Sequence, residues 1–109
     1  MAHGLPTPLV DLLPAFAAEL EHALRADGEH QLADQVASLV IESPCGCGDD
    51  FCSSFYTAAR PDGSWSPSLR TVTPAVATGM VILDVVDDVI RYVEVLHCND
   101  VKAALVAVQ

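Results

Sequence analysis

Three of the four cysteines in this chain fall within one short segment, Cys45-Gly46-Cys47-Gly48-Asp49-Asp50-Phe51-Cys52, between two stretches with strand-like composition. If the segment is a tight hairpin turning through Gly48 to Phe51, Cys47 stands opposite Cys52, and the two-residue alternation of a strand keeps Cys45 on the same face. Three sulfurs crowded on one patch suit a metal, a redox pair, or plain packing. A structural zinc takes four tetrahedral ligands from cysteine and histidine. Cys45, Cys47 and Cys52 would supply three. The fourth would be Cys98, or else His97, because adjacent residues of a strand point to opposite faces and only one of the two can serve. Against zinc, Cys45 and Cys47 are separated by one residue, where zinc modules usually space a ligand pair by two to four. The redox version is a reversible disulfide between Cys47 and Cys52, and the third reading is reduced thiols that pack as small apolar groups.

Other chemistry has less support. Gly46, Gly48, Asp49 and Asp50 are sufficiently explained as turn residues, and the regular oxygen-ligand spacing of a calcium loop is missing. A cysteine nucleophile needs a histidine within reach and a third group to orient it. His3, His22, His30 and His97 are available, yet no spacing sets one beside Cys52. The chain has no G-x-S-x-G elbow, P-loop, dinucleotide glycine fingerprint or H-E-x-x-H, so a binding or regulatory role is expected rather than catalysis. Trp65, amid Ser64, Ser66 and Pro67, is expected to pin a long loop onto the core.

The elements that must position the cysteines come from a chain of 109 residues, enough for one domain spanning 1–109. The 15 acidic residues against 5 basic ones give a formal charge of −10, which argues against direct binding to nucleic acid through its phosphates. A protein partner with a basic face fits the charge better, and an acidic inhibitor imitating nucleic acid rests on charge alone. No basic segment followed by an apolar run opens the sequence, and no apolar stretch approaches the ~20 residues a membrane span needs. The expectation is a bacterial cytoplasmic protein, where clustered thiols are read as metal ligands or reactive groups before disulfides.

Thr7 before Pro8 reads as a helix cap, and Leu9, Leu12, Leu13, Phe16, Leu20 and Leu24 recur at helical spacing. Pro14 predicts either a kink or a fresh helix start, and Asp27-Gly28 a helix end. A second helix is predicted from Glu29 to about Ser38. Strands follow at Leu39 to Ser43, Cys52 to Ala58 and Leu69 to Thr73, with Pro44 marking an edge or bulge and a turn-rich loop over Arg60 to Ser68. The clearest hairpin is Met80 to Val86, a turn at Asp87-Asp88, and Val89 to Leu96. A regular two-residue loop pairs Val86 with Val89, Val85 with Ile90, Asp84 with Arg91 and Ile82 with Val93. On that register both sheet faces are largely apolar, which calls for helices on both sides or a second copy of the chain on one, that is, a homodimer. Asn99 is expected to cap a last helix, Asp100 to about Val108. The order predicts an α+β domain: a small antiparallel sheet of four or five strands, two N-terminal helices and one C-terminal helix.

Gly79-Met80-Val81-Ile82-Leu83-Asp84, followed by Ile90-Arg91-Tyr92-Val93-Glu94-Val95-Leu96, resembles the closing hairpin of the small bacterial YuzE-like family of unknown function. Asp88 stands where that family usually has a turn glycine, and the cysteine-bearing N-terminal half has no counterpart in those shorter proteins. The resemblance implies a small antiparallel sheet with a terminal helix, and it implies no activity.

Overall fold

The computed structural model describes residues 4–45, 50–59, 63, 67–77 and 79–108. Pro14 decides how the chain begins. A residue preceding proline is driven out of the helical region, and Leu13 accordingly has φ −132° and ψ 62°. Helix α1 (Leu9–Leu12) ends there, and α2 (Pro14–Ala26) starts anew with Pro14 in its first turn, where a missing N–H costs nothing. Helix α2 closes on a Schellman turn: Gly28, at φ 80°, donates to the Arg25 carbonyl at 3.1 Å and Glu29 donates to that of Leu24 at 2.9 Å. Helix α3 (His30–Gln35) follows, and one turn of 3-10 helix (Val36–Ser38) completes the predicted second helix. Leu9, Leu20, Leu24, Leu32 and Val36 are buried, as their spacing predicts.

Thr7 does not cap a helix. Pro8 is extended (φ −61°, ψ 138°), so Thr7–Pro8 form a short strand, β1, which pairs antiparallel with β2 (Val40–Ile41). The Leu9 N–H that a cap would have served donates to the Leu39 carbonyl at 2.9 Å. The predicted strand Leu39 to Ser43 is therefore divided: Val40–Ile41 belong to this small sheet, and Ser43–Pro44 form β3 in the main one.

The main sheet has five antiparallel strands in the order β3-β4-β7-β6-β5. They are β3 (Ser43–Pro44), β4 (Phe55–Tyr56), β5 (Leu69–Val72), β6 (Met80–Val86) and β7 (Val89–Leu96). Pro44 lies on an edge strand, where its missing donor is tolerated. Helix α4 (Asn99–Ala107) closes the chain, with Cys98 rather than Asn99 in the cap position because the helix begins one residue earlier than expected. The fold is thus α+β with a small antiparallel sheet.

The β6–β7 register differs from the regular one. Val86↔Val89 and Val85↔Ile90 pair as expected, but Asp84 then faces Tyr92, and Leu83 faces Val93. Arg91 is the extra residue of a bulge, so the expected Asp84–Arg91 pairing does not form. The physical reason is parity. Ile90 is even-numbered while Val93 and Val95 are odd, and only an inserted residue lets all three face inward with Val81, Leu83 and Val85. All six are at most 1% exposed and share one core with the residues of α1, α2, α3 and α4. The bulge thereby concentrates the burial on one face, while the other keeps Met80, Ile82, Val86, Val89, Tyr92 and Leu96 beside Asp84 and Glu94. Ile82, Tyr92, Glu94 and Leu96 lie on the opposite face, part-exposed, and Met80 is 48% exposed.

The turn between these strands holds Asp87 at φ 53° and Asp88 at φ 64°, the two positive values of a type I′ hairpin. Gly79 enters β6 at φ 73°, and a Cβ there would run into the Leu96 and His97 carbonyl oxygens.

Candidate functional site

Strands β3, β4 and β7 carry the site on the sheet face turned away from the helices. Phe55 and Val93 pair with each other and are both fully buried in the core. Their neighbours Tyr56 and Tyr92 must therefore project from the opposite face, where their rings meet with centroids 4.5 Å apart. Alternation continues the same face to Ser54 and Cys52 on one side and Cys45 on the other.

Cys45 and Cys52 come together. Their sulfurs are 3.2 Å apart, a thiol–thiol contact in which either can donate. The Cys52 thiol also donates to the Ser54 hydroxyl at 3.3 Å. The register that delivers them is the expected one: Ser43 pairs with Tyr56, Pro44 with Phe55, and the Cys45 N–H donates to the Ser54 carbonyl at 3.1 Å. Cys45 thus faces Ser54 and reaches diagonally to Cys52. Cys45 is part-exposed and Cys52 is buried. Cys47, with Gly46, Gly48 and Asp49, lies outside the described residues.

The backbone around Cys52 is held by side chains where a regular ladder lapses. Cys52 forms an isolated bridge with Leu96, and Ser53 donates to the Val95 carbonyl at 2.9 Å. The Val95 N–H, however, donates to the Ser54 hydroxyl at 2.9 Å rather than to a carbonyl. Ser54, only 1% exposed, thereby links the thiol pair to the strand beside it. Lys102, the sole lysine of the sequence, reaches from α4 and donates its ammonium to the Cys52 carbonyl at 2.9 Å.

Tyr92 completes the cluster. Burial pushes its phenol well above the usual range, a hydrogen bond with Ser54 pulls the other way, and the negative charge that Cys45 and Cys52 would carry as thiolates pushes it further up. The phenol therefore stays protonated beside the sulfurs.

The other predicted ligands are placed elsewhere. Cys98 packs, part-buried, against the core and lines a cavity of about 550 Å³ with His97, Leu13, Phe16 and Val101. His97, at φ 59°, meets Phe51 edge to face at 5.2 Å and donates its backbone N–H to the Phe51 carbonyl at 2.8 Å. Among the described residues, no three His, Cys, Asp or Glu side chains are gathered so as to hold a metal ion. Neither Cys98 nor His97 therefore joins Cys45 and Cys52 in such a group.

Sequence reasoning passed over Ser54, Tyr92 and Lys102. Ser54 was findable, because it shares strand parity with Cys52. Tyr92 was not, because the bulge changes its parity, and Lys102 arrives only through the packing of α4. Among the described residues no helix is long and apolar enough to cross a membrane. Comparison with family models, curated proteins and solved structures finds no match to this chain.

Proposed function

We propose that this chain is a binding and regulatory module whose cysteine hairpin works as a reversible thiol–disulfide switch between Cys45 and Cys52. The observation that carries this reading is the 3.2 Å separation of the two sulfurs, on the segments that follow β3 and precede β4. A disulfide requires roughly 2.05 Å, so the sulfurs must close by about 1.1 Å. Strand β3 lies on the sheet edge and has only two ladder residues, so it can make that shift without disturbing the core.

The chemistry balances with a disulfide oxidant. Cys45, the more exposed, loses its proton and attacks one sulfur of the oxidant, and the first thiolate leaves and is protonated. The Cys52 thiolate then attacks the Cys45 sulfur of the mixed disulfide and expels the second. Two protein thiols are oxidised, one external disulfide is reduced to two thiols, and both protons end on the leaving groups. The net charge of −10 favours a basic protein as the partner whose binding the switch adjusts.

The test is oxidation of the folded, reduced chain with bis(2-hydroxyethyl) disulfide, followed by non-reducing digestion and mass spectrometry. The expected product is an internal link joining the Cys45 and Cys52 peptides, absent from Cys45→Ser and retained in Cys98→Ser. Links that always involve Cys47 or Cys98, or no internal link, would overturn the proposal.

A further inference from the structure

We infer that the thiol pair reacts preferentially with neutral and cationic disulfides and discriminates against anionic ones. This rests on the switch reading above and names the class of oxidant that the site takes.

The charges around the pair carry the argument. Asp50 is exposed two residues before Cys52, and Glu94 lies part-exposed on the cysteine-bearing face, two residues from the Leu96 that bridges to Cys52. Glu42 does not belong to this set: three residues before Cys45 it falls on the other face, and it lines a cavity with Arg91 and Asp88 at the turn end of β7. Among the described residues the opposing cation is Lys102, whose ammonium is engaged with the Cys52 carbonyl at 2.9 Å; Arg60 lies outside the described residues. Arg25 and Arg70 are held in ion pairs with Glu21, Asp34, Glu29 and Asp88 on the helix side. Arg91 stands in the bulge near the turn end of β7, whereas Cys52 bridges to the other end of that strand. An approaching carboxylate therefore meets like charge locally and a chain of net charge −10 at longer range. Such fields act on encounter rates within about a Debye length, roughly 10 Å at 0.1 M salt.

The chemical step is the exchange already written, and only the charge of the oxidant's thiol fragment changes. Cystamine carries two ammonium groups, bis(2-hydroxyethyl) disulfide none, and 3,3′-dithiodipropionate two carboxylates.

The experiment measures closure of the Cys45–Cys52 link by each disulfide, every rate divided by that disulfide's own rate with free 2-mercaptoethanol to remove leaving-group differences. At low salt the normalised rate is expected to fall from cystamine through the neutral disulfide to dithiodipropionate, at least tenfold end to end. Rising salt should compress the span toward unity. Glu94→Gln and Asp50→Asn, both on exposed or part-exposed side chains, should raise the normalised rate with dithiodipropionate while the neutral rate stays put. Equal normalised rates that ignore salt, or an advantage for the anion, would overturn the inference and leave the switch intact. If none of the three disulfides closes the link, the switch itself fails and the inference goes with it.

Discussion

The two hairpins of the main sheet are built on different terms. β6–β7 is zipped by seven register pairs, and its six inward side chains reach the core. The cysteine hairpin has two register pairs between β3 and β4, and Ser54's hydroxyl supplies the acceptor that a strand carbonyl would otherwise give the Val95 N–H. In the first hairpin hydrophobic burial fixes every position, even to the point of a bulge. In the second, hydroxyl and thiol groups share the work with the backbone. Groups that hydrogen-bond through sulfur and oxygen can exchange partners at small cost, whereas a close-packed core cannot. That contrast is what makes the short hairpin, and not the long one, the place for the proposed thiol–disulfide switch.

The contrast is broken most directly at its strong end. Leu83 is fully buried in the core, so Leu83→Ala should lower stability by about 2–5 kcal/mol, read from the midpoint of urea unfolding. The loss should be global, with amide exchange accelerated in α2 and β7 alike. A change under about 1 kcal/mol would mean that the long hairpin is not what holds the sheet.

Ser54→Ala probes the weak end. It leaves the buried Val95 N–H without its hydroxyl acceptor, at a cost of about 1–3 kcal/mol, and removes the acceptor of the Cys52 thiol. Exchange at Val95 should rise far more than at Leu83. Equal acceleration at both positions would erase the distinction between the hairpins.

These two residues also mark how far the sequence could be read. The helix spacing, the strands of the closing hairpin and the Asp87-Asp88 turn were legible because each follows from a local period or from turn chemistry, whereas the order of strands in the sheet was not, because β4 pairs with the distant β7. The closing hairpin's register was not, because the regular loop rule and the inward pattern of Ile90, Val93 and Val95 conflict, and tertiary burial decided between them. For the same reason Thr7 reads as a cap but pairs as a strand: its rival partner, Ile41, lies far along the chain. At the site, proximity of Cys45 to Cys52 was legible from alternation and was found. The separate placement of Cys98 was not, because it depends on where α4 packs.

Asp88→Gly sharpens the comparison from the turn side. Position 88 sits at φ 64°, a left-handed conformation that glycine adopts without strain. Gln35 donates to the Asp88 backbone carbonyl at 2.6 Å, a hydrogen bond that glycine keeps. The side chain itself gives up only an exposed ion pair with Arg70 at 3.6 Å. A stabilisation of about 0.5–1 kcal/mol is expected, in the urea midpoint. Destabilisation would show that the Asp88 side chain contributes more than its backbone strain costs.

The smallest effect concerns the far edge of the sheet, where β5 is tied to α3 by charge instead of by thiols or hydroxyls. Arg70 donates to both carboxylate oxygens of Glu29, at 3.0 and 3.1 Å. Its guanidinium holds the Glu29 carboxyl below its ordinary value. A depressed carboxylate contributes stability that is complete above the unfolded pKa and is lost as pH falls through the lower folded one. The pair is 44% and 29% exposed, so screening limits it to about 0.2–1 kcal/mol. Arg70→Gln should therefore cost that much at pH 7. The gap from the parent should narrow as pH drops below the usual glutamate range, leaving only the 3.6 Å pair with Asp88 once Glu29 is protonated in the folded state. High salt at pH 7 should narrow it as well. A gap that persists unchanged into acid would assign Arg70's contribution to packing of its aliphatic stem along the β5 edge and not to its charge.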